Sequence, residues 1–131
     1  MKEDFAKEGL QKIEEKDLEA VVKKEEQVRN SLSRIEKNVK DELETLLELL
    51  KDYYRGEYKA ISWRSVALAV FAFLYLINPL DLLPDFTGAL GFIDDLAVLG
   101  SVVASLADDI RRYKKWKEEK EKESKLDHLH G

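Results

Sequence analysis

The chain has 131 residues, no cysteine, a formal net charge of -5 and 37% charged side chains. That length suffices for one domain with its own core, and the missing cysteines exclude zinc–thiolate sites, dithiol redox chemistry and a disulfide framework. An acidic balance of this size excludes a general nucleic-acid binder, which needs a basic face.

Charge is unevenly placed. Residues 1–52 carry 11 basic and 15 acidic side chains, residues 65–107 carry four acids and no Lys or Arg, and residues 111–131 carry 8 basic and 5 acidic ones. The opening MKEDFAKEGLQ has no apolar run of the kind a secretory signal needs. A cytoplasmic location, or the cytoplasmic face of a membrane, is therefore expected.

In chain order, residues 5 to about 29 are rich in Lys and Glu and place Leu10, Ile13, Val21 and Val28 at helical spacing, a thin stripe interrupted by Asp17 and Lys24. The run NSLS at residues 30–33 predicts a bend, with Ser33 and Glu36 at capping-box spacing. From there Val28, Leu32, Ile35, Val39, Leu43, Leu46, Leu50 and Tyr53 alternate steps of four and three, a coiled-coil-like seam. A seam of this kind packs either on its own chain, giving a monomer, or on a second copy, giving a homodimer through residues 28–53. The monomer is the favoured reading, because short bundles use the same spacing.

Gly56 is placed to end that helix and Ser62 to cap the next. Residues 63–77 are apolar on every side, so this helix must be surrounded by protein or by lipid. Pro79 disfavours helical geometry at Asn78 and stops it there. The connection at residues 78–95, NPLDLLPDFTGALGFIDD, holds two prolines, two glycines and four aspartates, the composition of a shaped loop and not of a slack linker. Asp94 and Asp95 stand where the last helix begins, and Leu96, Leu99, Val103, Leu106, Ile110 and Tyr113 form its stripe. Beyond Trp116 the run KEEKEKESK reads as a solvated extension that frays, and His128 and His130 as part of a tail.

The expected fold is all-α: a bundle of about four helices with a central apolar helical hairpin. Residues 1–61 supply amphipathic charged helices, residues 62–117 the apolar hairpin packed with them as one domain, and residues 118–131 a charged tail.

Two outer segments accompany the loop: DYYRGEYKAISW at residues 52–63 and DDIRRYKKWK at residues 108–117. Together with the order Tyr75, Pro79, Asp81, Pro84, Asp85, Gly91, Asp94, Asp95, they resemble the YkvA-like family, a domain of unknown function. The resemblance spans about residues 52–116, roughly half the chain, and implies no established activity, although such proteins are often thought to associate with membranes. This chain departs from the pattern at Thr87 and Gly88, where a further proline is common. The first fifty residues inherit nothing from it.

The candidate functional loop is thus Asn78, Pro79, Asp81, Pro84, Asp85, Gly91, Asp94 and Asp95. One reading brings Asp81, Asp85, Asp94 and Asp95 together on a hard cation, Mg2+, Ca2+ or Mn2+. The other makes each a cap of a helix or turn, and is favoured because capping aspartates are common and no recognised metal-ligand spacing is present. Catalysis has less support: the only histidines lie in the tail, and Ser62, Ser65, Ser101 and Ser105 have no nearby base. No catalytic residue is assigned, and the chain reads as a non-enzyme.

Each apolar run lasts about 12 residues before a charge or proline, short of the ~20 of a spanning helix. Yet Trp63 and Trp116, with Arg55, Lys59 and Arg64 before and Arg111, Arg112, Lys114 and Lys115 after, bracket the pair as an interfacial hairpin is bracketed. Four aspartates in lipid would be costly, so a bundle in water that binds a membrane surface or a protein partner is preferred. Function then reads as a non-catalytic interaction or scaffold module, with a peripheral or re-entrant membrane protein, or a divalent-cation-binding protein, as alternatives.

Overall fold

The computed structural model describes residues 12–77 and 95–130, and six helices make up the regular structure among them. They are α1 (Glu15–Lys23), α2 (Glu25–Leu32), α3 (Lys37–Tyr54), α4 (Trp63–Ile77), α5 (Asp95–Ser105) and α6 (Ala107–His130). Backbone bonding carries on across two of the joints. Lys24 donates to the carbonyl of Ala20 and accepts from the amide of Val28, and Leu106 donates to Val102 and accepts from Ile110. The helices therefore group into four rods, and the all-α bundle expected from the sequence is the observed fold.

The first rod differs in detail from its expected form. Asp17 takes the Glu14 amide at 2.8 Å at the start of α1, and the rod runs on to Leu32. NSLS predicts a bend near residues 30–33; the break falls at residues 33–36, because α2 runs on through Leu32 and Ser33 closes it instead of opening α3. Its hydroxyl donates to the carbonyl of Asn30 at 2.6 Å. The amides of Arg34 and Ile35 fold back onto Ser31 and Leu32, which tightens the turn and leaves Glu36 as an N-cap without a side-chain bond.

α3 packs against every other helix, and α4 packs against α1, α2, α3 and α5. The apolar pair α4 and α5 meet as a hairpin should, with α3 beside them at the centre. Val28, Leu32, Leu43, Leu46 and Leu50 are fully buried, so most of the seam is consumed inside the chain. No residue of α4 from Val66 to Ile77 is exposed, and Val66, Ala69, Val70, Ala72 and Phe73 have no accessible surface. The surroundings that an apolar helix requires are here made largely of protein. On the far side α6 leans on α3, and its charged end stays helical through His130 where fraying was expected.

Candidate functional site: the corner between α3 and α4

α3 ends in a Schellman motif. The Gly56 amide donates to Tyr53 and the Glu57 amide to Asp52, with Gly56 at φ 79, a left-handed conformation that costs a residue with a side chain about 1–2 kcal/mol. The chain then turns inward at Tyr58, which is 3% exposed, and outward again to Ser62. The Ser62 hydroxyl accepts the Ser65 amide at 3.2 Å and caps α4, as its position predicts.

Beneath this corner lies the one buried charged residue among those described, Asp52. Tyr113 of α6 donates its hydroxyl to the Asp52 carboxylate at 2.6 Å, and Lys117 donates to the same tyrosine oxygen at 3.2 Å while standing 3.8 Å from the carboxylate. Charge-assisted bonds of this kind are short and strong, and a buried carboxylate needs them. Tyr58 packs edge-on to Tyr113, with ring centroids 5.1 Å apart, and lies 5.0 Å from Trp116. Lys120 sits 4.9 Å over the Trp116 ring and 3.7 Å from Glu57, closing the node from outside. Burial, followed by the bond to Asp52, raises the Tyr113 phenol far above its ordinary range, and burial raises that of Tyr58. Both therefore stay neutral at physiological pH, and the node is a joint closed by hydrogen bonds and ring contacts.

A second polar cluster adjoins it. Arg29 pairs with Glu25 at 2.8 Å and Glu48 at 2.6 Å, Lys51 reaches Glu25 at 3.1 Å, and Lys117 reaches Glu48 at 3.8 Å. The Arg29 bond first, aided by Lys51, holds the Glu25 carboxyl below its usual range.

The outer surface of the corner has a different character. Tyr54 is 44% exposed and Trp63 37%, and Arg55, Lys59 and Arg64 are exposed between and beside them. Next to it opens a shallow groove of about 590 Å³ lined by Glu15, Lys16, Leu18, Glu19, Tyr53, Tyr54, Lys59 and Ile61. Both signs of charge line it.

Of the residues singled out in the loop, Asp95 is the first residue of α5. Asn78, Pro79, Asp81, Pro84, Asp85, Gly91 and Asp94 lie outside the described residues. Among the described residues, no three side chains of His, Cys, Asp or Glu converge as metal ligands, and no helix is long and apolar enough to cross a membrane.

Asp52, Tyr58, Tyr113 and Lys117 draw together the two outer segments, residues 52–63 and 108–117, whose sequence resembles the YkvA-like pattern. A family model described as a protein of unknown function (DUF1232) matches residues 65–100, which run from α4 across the connection into α5. The uncharacterized membrane protein YkvA of Bacillus subtilis (strain 168) is 37% identical over 73 residues, covering 56% of this chain and 69% of that protein. The chain belongs to the YkvA-like family, whose function is unknown. No solved structure matches it. In this YkvA-like chain the sequence alone did not single out Asp52, because it sits next to Tyr53 of the seam and reads as one more surface acid of a charged helix. Its partner lies 61 residues away. The sequence signal that came nearest to it was that both outer segments resemble the same family pattern.

Proposed function

We propose that this chain acts by attachment and not by catalysis: a non-catalytic helical module that sits on the cytoplasmic surface of a membrane without crossing it. The observation that carries this reading is the enclosure of α4 by α1, α2, α3 and α5, which spends its apolar surface on protein. What meets lipid must then be the exterior, where aromatic and basic side chains stand together at the corner. A relative called a membrane protein by name fits a surface attachment as well as a span. The hydroxyl that stands against a carboxylate in the node, that of Tyr113 on Asp52, is buried with its partner, which favours binding over reaction.

Fractionation tests it. The full chain should pellet with membranes at low salt, leave them on washing with high salt or alkaline carbonate, and stay folded in detergent-free buffer. Retention after carbonate would mean that it is embedded, and a chain that never pellets with membranes would move the attachment to a protein partner.

A further inference from the structure

Several exposed cations on this chain are neutralised by neighbours. In the first turns of α6, Arg111 pairs with Asp108, Arg112 with Asp109 at 2.7 Å and Lys114 with Glu42 at 3.0 Å. The corner at residues 54–64 is different. Arg55, Lys59 and Arg64 enter no ion pair among the described residues, while the one acid of the corner, Glu57, is already held by Lys120 at 3.7 Å. In the adjoining groove Glu19 is likewise paired, with Lys23 at 2.6 Å, and Glu15 is the acid without an ion pair. Other exposed cations, Arg34, Lys37 and Lys115 among them, also lack an ion pair among the described residues, but at this corner three such cations stand beside the exposed rings of Tyr54 and Trp63.

The corner is also held in shape. The Schellman turn at Gly56, the inward anchor of Tyr58 against Tyr113 and Trp116, and the Ser62 cap fix its backbone at three points. Basic side chains with tyrosine and tryptophan on a rigid turn match the headgroup layer of a bilayer: the rings lie at its boundary and the cations meet lipid phosphate and carboxylate. Charge complementarity selects an anionic surface over a neutral one.

We propose that residues 54–64 are the face that meets the membrane, with Arg55, Lys59 and Arg64 taking anionic lipid headgroups and Trp63 and Tyr54 resting at headgroup level. This rests on the membrane-surface reading above and names its partner chemistry.

Vesicle co-sedimentation decides it, with phosphatidylcholine vesicles compared with vesicles that also contain phosphatidylserine. The wild-type chain binds the anionic vesicles, less so as salt rises, and the neutral ones weakly. The triple variant Arg55→Glu, Lys59→Glu, Arg64→Glu binds anionic vesicles at least about tenfold more weakly. A charge-matched control, Arg34→Glu, Lys37→Glu, Lys40→Glu, alters the opposite end of α3, roughly 27 Å away by helical rise, and keeps wild-type binding. Circular dichroism checks that both variants fold. In the Trp116→Phe chain, Trp63 is the single tryptophan, and its emission shifts to the blue on anionic vesicles. Equal binding by both triple variants, equal loss in both, or equal binding of wild type to neutral and anionic vesicles would overturn this face while leaving surface attachment standing. Absence of wild-type binding to either vesicle overturns both.

Discussion

At the scale of single residues, Asp52 is a carboxylate out of water whose burial is tolerable because Tyr113 and Lys117 answer it. Removing one partner from such a group exposes the cost of the other, so Tyr113→Phe should lower stability by about 1–3 kcal/mol at neutral pH. The same residue has a pH signature. Its phenol is raised in the folded chain by burial first and by Asp52 second, so the folded state keeps a proton that the unfolded state releases above about pH 10. Stability contributed this way is whole below that pH and declines as pH rises through and beyond it. Thermal melts from neutral pH into the phenol range should therefore show a shallower alkaline loss in Tyr113→Phe than in wild type, with some slope left by Tyr58. An unchanged slope would assign the alkaline loss to other groups. None of this was legible in the sequence, because what distinguishes Asp52 from the other acids of α3 is a contact made only when α6 folds back.

Elements were easier to read than their ends. The steps of four and three from Val28 to Tyr53 predict a buried seam, and Gly56 and Ser62 predict where helices stop and start, because each of these signals is local. Ser33 misled as an opening cap: its hydroxyl bonds backward to Asn30, a choice that the spacing to Glu36 does not reveal. Two glycines separate local conformation from packing. Gly56 sits at φ 79 and its replacement by Ala should cost about 1–2 kcal/mol, whereas an added methyl at Gly100 in the middle of α5 meets nothing within 4 Å. Gly100→Ala should instead raise stability by about 0.5–1 kcal/mol by favouring the helix, and denaturant melts of the two variants should move in opposite directions. Phe73 and Leu106 anchor α4 and the α5–α6 joint with no more than 2% exposure. Truncating either to Ala should cost about 2–5 kcal/mol, and a much smaller loss at both would mean that something other than this chain packs them.

For the whole molecule, the apolarity of α4 and α5 names no neighbour by itself, and the sequence favours protein over lipid only through the short apolar runs and the cost of the loop aspartates. The bundle answers that through α1, α2 and α3, whose thin stripes become a cover only when summed. Because Leu43, Leu46 and Leu50 are consumed in that cover, sedimentation should report a monomer; a dimer that dissociates in a folded Leu43→Lys chain would show the seam shared between copies. The four aspartates pose the last question, and its two answers predict different titrations. If they cap helices and turns, Asp94→Asn should be mild because Asn also caps, and Mg2+, Ca2+ or Mn2+ should leave the melting temperature unchanged. If they hold a cation, Asp81, Asp85, Asp94 and Asp95 repel one another without it, and added metal stabilises the fold by mass action. Asp81→Asn and Asp94→Asn would then each abolish the response and, without metal, leave the chain no less stable than wild type. The expected outcome is a flat melting temperature for all three cations. A rise with any of them, lost in both variants, would make the loop a cation site.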